Sequence, residues 1–292
     1  MIYHLLSFFL KLLSYIPFSV LYIISDCLFY IVYYVVGYRR NIVHRNLIES
    51  FPEKSEQEIK HIEKNFYRFF TDNMLESFKM TTISRKEMSR RMKFTNIDVV
   101  NEELKRGRSV SLYLGHYGNW EWVSSMPLHL TEGVEGAQIY HKLRNDAINK
   151  IILNNRERMG AVCVDMYKTA RYITEQVNAN KICVIGFIAD QSPKRREARH
   201  FIKFLNHNVP VLTGTEKITK HYGFDAWFVD IKRVRRGFYE AEFVKMHDNP
   251  DSLPDFELTA IYFSMLEKMI CNNPELYLWS HNRFKYATKL EE

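Results

Sequence analysis

Three observations predict an α/β fold whose mainly parallel central sheet carries helices on both faces, preceded by an apolar, membrane-anchoring helical segment. Short strand-like runs recur at 109–114, 136–140, 161–165, 181–189 and 226–233, with helical patterns between most of them. Strands separated by helices imply βαβ units, and the apolar character of the runs implies burial on both faces. The first forty residues form a compositional zone of their own, whereas no repeat, low-complexity tract or linker interrupts residues 41–286. Two regions follow: an anchoring segment, 1–40, and one large domain, 41–292, long enough to bury a substantial core.

Between Ile2 and Tyr38 only His4, Lys11 and Asp26 interrupt an apolar, aromatic run, and Pro17 divides it. A spanning helix needs about 20 apolar residues, so Phe18–Tyr38 is just long enough, while Ile2–Ile16 is short and suits the plane of an interface. Asp26 would be costly at a bilayer centre. Arg39, Arg40 and Arg45 follow at once, which puts the rest of the chain on the cytoplasmic side by the positive-inside rule. Tyr3, Tyr15, Tyr22, Tyr30, Tyr33, Tyr34 and Tyr38 supply rings suited to a headgroup boundary. A secretory signal would need a basic start and a small-residue cleavage site, and neither is visible. The competing reading is a buried helical hairpin of a soluble domain.

Next, Ser55 with Glu58 makes a capping box, and Ile59, Ile62, Phe66, Phe69 and Phe70 recur at helical spacing. Residues 120–130 read as a helix. A hairpin is expected between 226 and 245, turning near Arg236-Gly237, and Glu257–Asn272 reads as an amphipathic helix stopped before Pro274.

The most informative stretch is Gly115-His116-Tyr117-Gly118-Asn119-Trp120-Glu121. Imidazole, with an ordinary pKa near 6.5, is the side chain best matched to removing a hydroxyl proton at neutral pH, and a carboxylate beside it fixes its tautomer. His116 is therefore the expected general base and Glu121 its orienting partner. It falls at the carboxyl end of a strand, where open α/β sheets bind ligands. Positions i and i+5 lie about 140° apart on a helix, so the pair meets only if His116 precedes the helix, a departure that Gly115 and Gly118 ease.

Arg144 and Asn145 follow a second strand, and Asp190 with Gln191 end a third. An arginine there suits a phosphate or a developing oxyanion; the carboxylate and amide suit an acceptor sugar or the orientation of Arg144. Each has an ordinary alternative, a surface arginine or a helix-capping Asp. Trp120 and Trp122 read as core or as lining for an apolar channel. Lys194, Arg195, Arg196, Arg199 and Lys203 form one basic cluster, and Lys232, Arg233, Arg235 and Arg236 another. No Ser or Cys sits in a Gly-x-Ser-x-Gly setting, so direct transfer is expected rather than a covalent intermediate.

Lysine plus arginine number 41 against 34 acidic residues, a net +7, which favours an anionic partner. A nucleic-acid partner is not expected, because it gives no reason for the apolar N-terminus. Cys27, Cys163, Cys183 and Cys271 are widely spaced and form no C-x-x-C, so reduced thiols are expected and no metal site.

The stretch 115–121 resembles the signature of the bacterial lipid A biosynthesis (late) acyltransferases, within the wider lysophospholipid and glycerolipid acyltransferase superfamily. Tyr140–Asn145 with Arg156–Gly160 resembles that family's second block. Ala189–Lys194, continued by Phe204–Asn206 and Thr213–Thr215, resembles the third, and Pro274–Lys285 the closing one. The resemblance runs from about residue 1 to 286. It implies a glycerolipid acyltransferase-like fold, with 41–292 as the catalytic domain. It also implies a membrane-associated O-acyltransferase that moves a fatty acyl group from an acyl carrier protein or coenzyme A thioester to a hydroxyl of a lipid A precursor or similar glycolipid. His116 and Glu121 would be catalytic. Arg144, Asn145, Asp190, Gln191, Gly118, Asn119, Glu216 and Arg283 would contact substrate, with Arg144 or backbone N–H groups near Gly118 stabilising the oxyanion. No bound cofactor is implied beyond the acyl-thioester co-substrate. The partners would be the lipid surface, the glycolipid acceptor and an acyl carrier protein, and the place would be the cytoplasmic face of a bacterial inner membrane. Another acceptor, such as a lysophospholipid or aminolipid, and a catalytically silent membrane lipid-binding protein remain as alternatives.

Overall fold

The computed structural model describes residues 2–288, with side chains from residue 9 onward. Met1 and the Tyr3 and His4 side chains of the expected anchor, and residues 289–292 of the expected catalytic domain, lie outside the described residues. Strands run in chain order as β1 (Met92–Phe94), β2 (Val110–Leu114), β3 (Glu135–Tyr140), β4 (Val162–Asp165), β5 (Cys183–Ile188), β6 (His200–Phe204), β7 (His207–Val211), β8 (Asp225–Arg235) and β9 (Phe238–Lys245). Helices are α1 (Ile2–Tyr15), α2 (Phe18–Tyr30), α3 (Arg40–Ser50), α4 (Glu56–Lys79), α5 (Arg85–Arg91), α6 (Ile97–Lys105), α7 (Asp146–Glu157), α8 (Thr169–Asn178), α9 (Gly214–His221) and α10 (Glu257–Asn272).

Seven strands make one sheet in the order β1-β9-β8-β2-β5-β3-β4, a mixed α/β architecture with flanking helices. Neighbours are parallel throughout except β8 with β9, whose antiparallel hairpin turns at Arg236-Gly237. The central strands are apolar because both faces are covered. Along β5, Val184 joins the main core, while Cys183, Ile185 and Phe187 enter a second cluster with Ile173 of α8 and Phe224. That alternation is the period of two expected of a strand between two layers.

Three local departures from the sequence reading have physical causes. Residues 122–129 form tight 3₁₀ turns rather than an α-helix. Pro127 lies inside them, and the Ser124 and Ser125 hydroxyls bond back to the carbonyls of Glu121 and Trp122, competing with helical bonding. β6 and β7 form a separate hairpin through Leu205 and Asn206, both left-handed at φ 49° and 62°. Its first strand carries polar and basic residues that conceal it. β1 is three residues long and has too little pattern to read.

The N-terminal helices lie against α4. Lys79 Nζ donates to the carbonyls of Ser14 (2.6 Å) and Ile16 (2.7 Å), closing the end of α1. α2 buries Leu21, Ser25 and Phe29 and continues as a wide helical turn to Val36, ended by Gly37 at φ 61°. Its outer side exposes Val20, Ile23, Tyr30, Ile31, Tyr34, Val35 and Val36. Phe18–Val36 is long and apolar enough to cross a membrane by length and composition. Asp26 is not isolated in that stretch. Arg236 bonds it at 2.7 Å and Asp72 at 2.6 Å.

The C-terminal helix α10 shows how the fold satisfies buried backbone donors. Glu216, on α9, accepts from Phe256 N (2.7 Å), Thr259 N (2.9 Å) and the Thr259 hydroxyl (2.6 Å), so it caps α10. Glu216→Ala strands these donors and should lower the unfolding free energy by about 2 kcal/mol. Urea unfolding reads this directly, and an unchanged midpoint would mean that other groups serve α10.

Candidate active site

His116 stands where β2 ends and Asp190 where β5 ends, and these adjacent parallel strands are in register from Val110↔Val184 to Leu114↔Ile188. Both loops therefore open at one end of the sheet, the carboxyl end of its strands. The loop bearing His116 is held from the far end of the chain. Leu278 N donates to His116 O (3.0 Å), Gly118 N donates to Leu276 O (3.0 Å), and Tyr117 bridges Tyr277. Gly118 sits at φ 56°, where a β-carbon would come within 2.7 Å of Ile231, so glycine is required there for turn and packing alike. Residues 279–282 are fixed in turn by α3, whose Asn46 donates to the carbonyls of Trp279 and His281, both at 2.9 Å.

Asp190, not Glu121, is the carboxylate that touches the imidazole. Its Oδ1 lies 2.6 Å from His116 Nδ1, and its Oδ2 accepts the His116 backbone N–H at 3.0 Å. Asp190 is fully shielded, which by itself would push its carboxyl up. The charge of His116 and the two hydrogen bonds, helped by the charge of Arg283, outweigh burial and hold it below the ordinary range. In the tautomer that donates Nδ1–H to Asp190, Nε2 is left bare. The Gln191 amide lies 3.1 Å from that nitrogen. His281, which burial pushes down to about 4, accepts the Ser192 N–H and holds the 190–192 turn.

Glu121 lies near enough for its charge to act on His116, but its oxygens go to Arg156. The guanidinium reaches them with Nε at 2.9 Å and Nη2 at 2.6 Å, a two-pronged pair largely withdrawn from solvent. Burial would raise the Glu121 carboxyl, but Arg156, with lesser help from the His116 charge and a Trp120 hydrogen bond, overcomes it and the net displacement is downward. Arg156 closes α7. A stripe of Asn149, Ile152, Leu153 and Arg156 at helical spacing faces the cavity, and that spacing was the available signal for it.

The remaining expected residues divide plainly. Gln191 lies in the site. Arg144 is exposed and outside the cavity wall, and Asn145 caps α7 through its Oδ1, accepting from Ala147 N (3.0 Å) and Ile148 N (3.1 Å). Asn119 is buried and bonded to Glu76 (2.7 Å) and to Trp122 N (3.1 Å), away from the cavity. The backbone N–H of Gly118 is occupied, so it is not free for an oxyanion. Glu216 caps α10. Arg283 is buried behind the site, donating to Pro210 O at 3.2 Å, and reaches Asp190 only through its field.

From His116 a cavity of about 660 Å³ runs into the fold. His116, Glu121, Arg156, Gln191 and Lys194 are among its polar lining, and Leu112, Leu114, Val123, Met126, Ala137, Phe187 and Ile188 among its apolar lining. Polar groups around His116 together with an extensive apolar lining suit a molecule with a reactive head and a hydrocarbon tail.

The model of the bacterial lipid A biosynthesis acyltransferase family matches residues 1–286. The chain belongs to that family. It is an acyltransferase, and the family's activity is acyl transfer in lipid A biosynthesis. No curated relative matches the sequence.

The Glu121–Arg156 pair on the cavity wall makes a pH-dependent prediction. Because Glu121 is depressed in the fold, its ionised form stabilises the protein above its unfolded pKa of about 4.3, and that contribution is lost as pH falls through this value and below. Arg156→Met removes the main group that opposes burial, leaving only the lesser help of the His116 charge and the Trp120 hydrogen bond, and so raises Glu121. The variant should be on the order of 3 kcal/mol less stable at pH 8, with the deficit shrinking toward pH 5 as the carboxyl protonates. Denaturant unfolding across that range reads the sign; a deficit independent of pH would show that Glu121 does not depend on Arg156.

Proposed function

We propose that the protein is a membrane-associated O-acyltransferase in which His116 Nε2 removes the proton from a hydroxyl of a lipid A precursor. The freed oxygen attacks the carbonyl carbon of a fatty acyl thioester. Collapse of the tetrahedral intermediate breaks the carbon–sulfur bond, and the proton on His116 passes to the departing thiol of acyl carrier protein or coenzyme A. Asp190 holds the base in its Nδ1–H form and stabilises the imidazolium that forms. Glu121 keeps Arg156 oriented at the cavity wall, where its charge faces the developing oxyanion. Gln191 borders the acceptor hydroxyl. The acyl chain lies along the apolar part of the cavity.

The observation that carries this reading is the 2.6 Å contact of Asp190 with Nδ1, which leaves Nε2 as the basic nitrogen beside an apolar cavity. The N-terminal helices supply the membrane contact. α2 is bonded to the catalytic domain through Tyr22, Ser25 and Asp26, so it lies along the domain with its outer apolar stripe in the interface rather than standing free as a spanning helix. The exposed cluster Lys194 to Lys203 begins at the cavity wall and suits an acidic carrier protein or anionic headgroups. The cytoplasmic face of the inner membrane is the setting in which acyl thioesters and such a lipid meet.

Mass spectrometry of lipids from cells with and without the chain tests the function. One glycolipid should lose a single acyl group when the chain is absent. Chains carrying His116→Ala should fail to restore it, and Asp190→Asn should lower turnover by about 10² to 10⁴-fold. Restoration by folded His116→Ala would sink the mechanism.

A further inference from the structure

Glu76, on α4, lies outside the cavity, is fully buried, and has no cation in hydrogen-bond contact among the described residues. Its carboxylate instead gathers donors from three separate elements. Tyr22 of α2 donates to Oε1 at 2.8 Å; Asn119 of the catalytic loop and Tyr239 of β9 donate to Oε2 at 2.7 and 2.9 Å. The Glu76 main-chain carbonyl accepts a fourth bond, from Trp122 Nε1 at 3.2 Å. Asn119 completes the link, since its Oδ1 accepts Trp122 N. Both ends of the stretch that carries Glu121 are thereby tied to one residue.

On its other side the same carboxylate holds the helix with the exposed apolar stripe. The Tyr22 ring is seated against Gly237, where any side chain would overlap its hydroxyl. Tyr22 is therefore fixed in position between α2, the β8–β9 turn and Glu76. Ser25, one turn further along α2, bonds Asp72 rather than Glu76 (2.7 Å).

We propose that Glu76 is a positioning residue that joins the lipid-facing helix α2 to the loop of the general base, so that seating α2 on a lipid surface sets the geometry of residues 115–122. The inference rests on the membrane reading given above. A polar anchor shared by two elements restricts both, and a misplacement of 1 Å at a reacting centre is enough to cost about 10²-fold in rate. The carboxylate supplies contiguous bonds from α2 to Asn119, a physical connection rather than mere proximity.

Two single-hydroxyl deletions separate positioning from general stability. Tyr22→Phe removes one bond between α2 and α4 and Ser25→Ala removes two, to Thr71 (3.1 Å) and Asp72 (2.7 Å), but only the first touches Glu76. Full-length chains would be added to vesicles of phosphatidylethanolamine and phosphatidylglycerol, and amide hydrogen exchange of residues 115–122 followed. In the wild type, vesicles should slow this exchange. Tyr22→Phe and Glu76→Gln should abolish the slowing while vesicle flotation stays normal, and Ser25→Ala should preserve it. In transfer assays, Tyr22→Phe should lower kcat about tenfold with donor KM unchanged, and Ser25→Ala should keep wild-type kcat. Equal effects of the two deletions, or vesicle-dependent protection that survives Tyr22→Phe, would overturn the proposal. A wild type that binds vesicles and shows the protection but transfers no acyl group would instead overturn the proposed function, leaving the role of Glu76 standing.

Discussion

The site depends on one carboxylate that holds both the ring and the backbone of His116. Asp190 fixes His116 at Nδ1 and at its main-chain N–H, so the imidazole cannot rotate or change register without leaving a buried charge unpaired. That penalty is large because Asp190 has almost no contact with water. β2 and β5 are adjacent and parallel, and the two residues sit one loop beyond the ends of the paired segment. A slip of one residue in either strand would turn one of the pair away, so sheet register and catalytic geometry are a single constraint.

Around this contact the charges fall into layers. Arg283 lies behind Asp190 and favours its ionised form, while burial keeps His281 neutral within the same enclosure. Glu121 and Arg156 form a second pair along the cavity wall. The division puts the carboxylate that touches His116 at a distance of 74 residues from it in sequence and leaves the neighbouring one, Glu121, to hold an arginine. It also explains why the loop must be stiff: Leu276 and Leu278 bond to it from one side, and Asn119 and Trp122 anchor it to Glu76 from the other.

Much of the architecture was legible because its signals are local. The capping box of Ser55 and Glu58 is present at the start of α4, the apolar central runs are strands of the sheet, and the Arg236-Gly237 turn lies where glycine permits φ 73°. Residues 120–130 read as a helix and are helical over 122–129, but in the tighter 3₁₀ form, because serine back-bonding and Pro127 act against α-helical bonding. At the site, His116 was visible from its chemistry and its place after a strand. The orienting partner was not, since five residues of separation suggested Glu121 and only strand pairing brings Asp190 to the ring. Arg144 reads as the natural cation for a similar reason, proximity to a strand end. The spacing of Asn149, Ile152, Leu153 and Arg156 carries a signal for Arg156, but only the packing of α7 turns that stripe to the cavity.

The tautomer of His116 tests this account most directly. Long-range proton–nitrogen NMR correlations of the ring, recorded near neutral pH on the unliganded protein, should show Nδ1 protonated and Nε2 bare in the neutral imidazole, with that assignment lost in Asp190→Asn and kept in Glu121→Gln. A neutral ring protonated at Nε2, or one whose tautomer follows Glu121 rather than Asp190, would contradict it.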